Sequence, residues 1–313
     1  MVPDIKPTRQ LRLPAALLAA ALAAVAAGCG TGAVAAPPGV IAAIGAENEY
    51  ANVLGQIGGR YVRVESILNN PNTDPHTFES SPSVAEEVSA AQLIVQNGLG
   101  YDGFMNRIEA ASPSSSRKVI VVQNLLGLPD STPNPHLWYD PTTMPKVAEA
   151  MAKDLSALQP AHAAYFQADR RTFDTSLNPW LDAVTAFKAA DAGAPVATTE
   201  PVADDLLQAM GADNLTPFQF QADIMNGVDP SPQDISLEEG FLTNYRVKVF
   251  VDNEQVVDAL TSSFRSSAEQ AGIPVVGVYE TMPTPGYDYQ SWMLAETQAI
   301  QAAVADGTST EHL

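Results

Sequence analysis

From residue 40 onward, short apolar runs alternate with stretches in which apolar residues return every three or four positions. Strict alternation or a short continuous run reads as a strand, and the longer period as a helix. On that basis Val40–Ala46 predicts a strand, and Asn48–Gly58 a helix ended by Gly58-Gly59. Val62–Leu68 predicts a second strand, followed by a loop over Asn69–Thr77. Ser83–Ala91 reads as a helix with Ser83 as N-cap and Glu86 completing a capping box. Gln92–Gln96 and Lys118–Val122 add two strands.

Strand signals then stop until about residue 190. Val147–Leu158 and Ala161–Phe187 are helical in period, with Pro160 expected to separate them and Pro179 to kink the second. The strand–helix rhythm resumes with strands Pro195–Thr198, Val247–Val251 and Val275–Tyr279 and helices Val202–Met210, Gln255–Ala271 and Gln290–Val304. Such alternation is the signature of a parallel sheet flanked by helices. The expected fold is α/β: two lobes, each a parallel sheet flanked by helices, joined by a long connecting helix. The lobes are assigned to residues 40–160 and 191–313 and the connecting helix to 161–190. Ligands of open α/β sheets sit at the carboxyl ends of the strands, so the expected site is the interlobe cleft.

Ahead of the folded part, Lys6, Arg9 and Arg12 precede an apolar run from Leu13 to Ala27, closed by Gly28-Cys29-Gly30. This order describes an export signal over residues 1–28. Cys29, the only cysteine, becomes the lipidated first residue of the mature chain, and residues 29–39 a flexible tether. An ordinary secretory signal or an uncleaved anchor is the plainer alternative. Either way the protein is exported, and with lipidation it is held at the outer face of a membrane.

Charge narrows the function. The 313 residues carry 16 Lys+Arg against 36 Asp+Glu, a formal net of −20. No basic stripe exists to neutralise a phosphate backbone, so nucleic acid is excluded as a partner, while cations are favoured. One cysteine rules out a disulfide framework and a thiolate zinc site.

Two of the four histidines share a setting, Asp74-Pro75-His76-Thr77-Phe78 and Asn134-Pro135-His136-Leu137-Trp138. Proline fixes the backbone, and Asp74 or Asp140 is placed to orient a ring nitrogen, leaving the other for a metal or a proton. Two turn histidines satisfied by backbone are the alternative. His162 and His312 read as surface residues. In the second lobe, Glu200 of Thr199-Glu200-Pro201 and Glu280 of Tyr279-Glu280-Thr281 each follow a strand. Either alone reads as a helix cap. Together with His76 and His136 they form an N2O2 set suited to Zn²⁺ or Mn²⁺. Gly98-Leu99-Gly100-Tyr101-Asp102-Gly103 fits G-x-G-x-x-G, but the next strand ends in Gln123-Asn124 rather than an acid, so it reads as a turn. Asp204-Asp205 reads as charge complementing a helix N-terminus.

At these residues the chain resembles the metal-specific solute-binding lipoproteins of bacterial zinc and manganese ABC importers. The resemblance covers most of residues 40–305, on Gly58-Gly59, Asn72-Thr73-Asp74-Pro75-His76-Thr77-Phe78-Glu79, Asn97-Gly98-Leu99-Gly100, Asn134-Pro135-His136-Leu137-Trp138 and Thr199-Glu200-Pro201. It implies two lobes joined by one long rigid helix, with the metal between them. It places the first-lobe ligands on His76 and His136, the third on Glu200 and the last on Glu280. The His- and acid-rich loop of many zinc members is missing here. Zinc is favoured as the transported ion, with manganese the alternative, and the partners implied are an ABC permease with its ATPase. The chain is expected to be a monomer and not an enzyme. An adhesin or interaction lipoprotein with structural metal is the main rival, and an exported metallohydrolase the lesser one.

Overall fold

A computed structural model describes residues 36–72 and 74–313. The expected signal segment 1–28, Cys29 and residues 30–35 of the tether lie outside the described residues. The first half runs β1 (Ile41–Glu47), α1 (Asn48–Gly58), β2 (Val62–Leu68), α2 (Pro82–Ala90), β3 (Leu93–Gln96), α3 (Gly103–Ala111), β4 (Lys118–Val121), α4 (Val122–Leu126) and α5 (Thr143–Leu158). Then follow α6 (Ala163–Ser176) and α7 (Asn178–Asp191). The second half runs β5 (Pro195–Thr198), α8 (Asp204–Met210), β6 (Asp213–Asn214), α9 (Phe218–Met225), α10 (Pro232–Thr243), β7 (Val249–Asn253), α11 (Ala259–Ala271), β8 (Val275–Val278) and α12 (Tyr289–Asp306).

Both sheets are wholly parallel and share one plan, β2-β1-β3-β4 and β6-β5-β7-β8. In each, the strand order reverses beside the first strand of the half, between β1 and β3 and between β5 and β7. That reversal opens a crevice at the carboxyl ends, because the crossovers on either side depart to opposite faces. Gly45 lets the first turn of α1 lie directly on β1: a Cβ there would sit 2.3 Å from the backbone nitrogen of Ala51. The chain turning off β1 is thereby buried, Glu47 and Glu49 included.

Three details differ from the sequence reading. Helix α2 is capped by Ser81, whose Oγ accepts from the Val84 amide at 3.4 Å; Ser83 lies inside the helix. Pro82 explains the shift, since proline suits the first helical position. The expected kink at Pro179 is a division into α6 and α7 at Leu177, whose backbone stays helical at φ −75°, ψ −17°. Proline brings no amide to the Thr175 carbonyl, so the ladder breaks without the axis being lost. Helices α3, α4, α9 and α10 and the short strand β6 are additional to those expected.

Helix α12 returns the chain across the molecule. Trp180 of α7, fully buried, donates to Thr297 Oγ1 at 3.0 Å, and Gln56 of α1 pairs with Gln290 at 3.0 Å. Burial of an aromatic of this kind contributes about 1.5–3 kcal/mol. Behind the crevice the halves are stitched by neutral hydrogen bonds. Asn48 exchanges two with the backbone of Met282 at 2.8 and 2.9 Å, Tyr139 donates to the Tyr279 carbonyl at 2.7 Å, and Tyr289 to the Trp138 carbonyl at 2.6 Å. Among the described residues, no helix is long and apolar enough to cross a membrane.

Candidate metal centre

Each histidine is delivered by a proline-fixed turn. Pro75–Thr77 forms one turn of 3₁₀ helix, capped by Asp74, whose Oδ1 accepts from the His76 amide at 2.8 Å. His136 stands just ahead of a similar turn, Leu137–Tyr139. Asn134 Oδ1 accepts from the His136 amide at 3.1 Å and faces ring Nδ1 at 2.8 Å. Nδ1–H donating to Asn134 turns Nε2 into the crevice. The orienting partner of this ring is therefore Asn134 and not Asp140, which instead accepts from the Thr142 amide at 2.8 Å. Likewise, Asp74 accepts from the backbone amide of His76 and not from its ring, while its charge is felt by the ring. The end of β3 fixes the second turn, for Asn97 donates to the Pro135 carbonyl at 2.8 Å and accepts from Tyr50 at 2.8 Å.

The second half answers with acids at strand ends. Glu200 lies two residues beyond β5 and Glu280 two beyond β8. His76 Nε2 and His136 Nε2 both meet one oxygen, Glu280 Oε2, at 3.1 Å. Tyr101 donates to the same oxygen at 3.1 Å. The side chains of His136 and Glu280 are wholly buried, and that of His76 is 26% exposed. Three groups, His76, His136 and Glu280, offer ligand atoms within 4.8 Å of one another. Glu200 is outside this cluster but joined to it: Asn253 Nδ2 donates to Glu280 Oε1 at 2.8 Å and Glu200 Oε1 at 3.2 Å. The other oxygen of Glu200, Oε2, is buried without a hydrogen-bond partner.

Electrostatics follow from this packing. Burial pushes the Glu280 carboxyl up, yet hydrogen bonds from His136 and His76, with their charges, outweigh it and hold the group well below the usual carboxylate range. Burial disfavours the charged form of His76, but the hydrogen bond and charge of Glu280, and then Asp74, raise its pKa above the ordinary imidazole value. Glu200 is pushed well up by burial and then by the charge of Glu280, with Asn253 opposing.

The donor set suits a divalent ion. Two imidazole nitrogens and a carboxylate oxygen converge on one point, and an orphaned carboxylate oxygen waits beside it. A cation bound through both Nε2 atoms needs them unprotonated, so protons and the ion compete for this site.

Sequence reading did not single out Asn134, Tyr101 or Asn253 for the site. Tyr101 lay within the glycine turn, whose residues 98–100 all take positive φ (87°, 54° and 82°) and swing it into the crevice. Asn253 ends β7 as the acids follow β5 and β8, so its place at a strand's carboxyl end was the available signal. His162 stacks on Tyr61 at 3.8 Å, and exposed His312 faces Glu254 at 2.8 Å; neither joins the cluster. Asp204 does more than face a helix end, since its carboxylate accepts from Asn214 and Gln221, both at 2.9 Å.

Comparison with known proteins identifies the family. Residues 46–303 match the family described as zinc-uptake complex component A, periplasmic. The manganese-binding lipoprotein MntA of Bacillus subtilis is 24% identical over 141 residues, 43% of this chain and 45% of MntA. A Thermotoga maritima protein is 32% identical over 94 residues, 30% of this chain and 33% of that protein. The matched segments thus span under half the length of either relative. A crystal structure of ZnuA superposes with a TM-score of 0.68 at 21% identity, covering 85% of this chain and 100% of that one, and so shares the fold. With nearly all of both lobes inside the matched region, the chain belongs to the zinc-uptake complex component A periplasmic family.

Proposed function

We propose that the protein is the extracytoplasmic solute-binding component of a metal ABC importer, capturing Zn²⁺, with Mn²⁺ the alternative, and delivering it to a permease served by an ATPase. His76, His136, Glu200 and Glu280 are the ligands in this reading. The observation that carries it is the convergence of two first-half imidazoles on one second-half carboxylate oxygen. Residues 40–160 and 191–313 act as the two lobes and 161–190 as the connection, with Cys29 lipidated and the chain monomeric at the outer face of a membrane. Membership in this family supports a transport role over a catalytic one.

Capture needs no covalent step. The ion takes its place between imidazoles of one half and carboxylates of the other, in competition with protons for the ring nitrogens. Drawing the halves apart on the permease breaks the shared coordination and frees the ion. Calorimetric titration of residues 37–313 with Zn²⁺ and Mn²⁺ tests this. One ion per wild-type chain, lost in His76→Ala, is expected. Wild type binding neither ion tightly removes the importer reading.

A further inference from the structure

The side chain between the two acids has the geometry of a selector. Asn253 Oδ1 accepts from the Gln255 amide at 3.0 Å, and the Asn253 amide donates to Thr199 Oγ1 at 2.9 Å. The carboxamide cannot flip without setting its oxygen against two carboxylates, so its NH2 group must face Glu200 and Glu280. Each N–H engages one oxygen of one acid. Glu280 is left with Oε2, the atom already facing both imidazoles, and Glu200 with its unpartnered Oε2.

We infer that Asn253 is a positioning residue that holds Glu200 and Glu280 to one ligating oxygen each, and thereby tilts the site towards zinc over manganese. The inference rests on the ligand set proposed above. Two nitrogens and two single oxygens make four donors, the number that zinc takes as a tetrahedron. Manganese prefers six, and reaches that count here only if both carboxylates also turn their second oxygens inward. Asn253 has those oxygens occupied. Any residue here without an N–H donor releases them.

Three measurements test it. Zinc-edge X-ray absorption of the loaded wild-type protein is expected to give four N/O ligands with no carboxylate bound through both oxygens; five or six ligands overturn the inference without any variant. With Co²⁺ as probe, wild type is expected to show the intense visible bands of a four-coordinate ion, and Asn253→Ala the weak bands of a higher-coordinate one. Asn253→Asp, which keeps the acceptor for Gln255 and removes the donor, is expected to do the same. Competition titrations should find zinc affinity lowered about 10–100-fold in either variant, as when a ligand's supporting hydrogen bond is lost, with manganese lowered less. An unchanged zinc-to-manganese ratio with a wild-type Co²⁺ spectrum overturns it. A wild-type chain that binds none of the three ions instead removes the metal-capture reading itself, and the two failures are thereby told apart.

Discussion

Two acid groups lie within the same molecule at nearly the same depth and behave oppositely. At the crevice, Glu280 is buried against two imidazoles and stays ionised. At the end of β1, Glu47 and Glu49 are just as buried, but all four of their carboxylate oxygens lack a hydrogen-bond partner. Burial, then the charges of Asp102 and Glu49, push Glu47 well up; burial and then Glu280 do the same to Glu49. Asp102 is raised to about 6, mainly by burial, although the Gly98 and Asn97 amides oppose the rise. Depth alone therefore neutralises an acid. A buried carboxylate keeps its charge only where positive partners face it, which is also what makes it attractive to a cation once those protons leave.

Substitutions can break that contrast, and the largest effect belongs to the ionised member. Glu280→Gln removes the charge on which the imidazoles converge. Zinc affinity should fall by more than the roughly 10–100-fold that losing a supporting residue costs. A calorimetric loss under tenfold would place the centre elsewhere. Next comes the metal-free protein. His136→Ala removes one of three donors on Glu280 Oε2 and should lower stability in urea by about 1.5–3 kcal/mol.

The pH response sharpens the same point. Because the pKa of His76 is raised, its contact with Glu280 stabilises the metal-free protein fully below the ordinary imidazole pKa. That contribution is lost as pH rises through the raised value. Protons on His76 also compete with the ion. The increase in melting temperature on adding zinc should thus grow between about pH 6 and pH 8; a constant increment would dissociate His76 from binding. The smallest effect is expected for Glu49→Gln. At about pH 5 the variant should lie within roughly 1 kcal/mol of wild type, since a neutral acid is replaced by a neutral amide. As pH rises, wild type loses stability through the raised Glu49 pKa and the variant does not, so the variant becomes the more stable.

What could be read in the sequence divides along physical lines. Most strands were legible from alternation or from a short continuous apolar run: Val62–Leu68 and Pro195–Thr198 carry the predicted bounds. Helices α9 and α10 were not, because Phe218–Met225 and Pro232–Thr243 intersperse Gln, Asp, Ser and Glu among few buried positions. In the site, His76 and His136 announced themselves through their repeated Pro-His setting. Tyr101, Asn134 and Asn253 did not. Apart from Asn253's place at a strand end, a phenol or a carboxamide does not betray its role until tertiary structure shows which oxygen or ring it holds.

The seam behind the crevice, Asn48 with Met282, Tyr139 with Tyr279 and Tyr289 with Trp138, contains no ionic pair among these contacts. Mobile ions screen charges in water but reach buried dipoles hardly at all. The net charge of −20 draws cations from a distance, and that pull weakens as ionic strength rises. Salt will therefore change how fast an ion finds the crevice, while the attachment of one half to the other stays as it was.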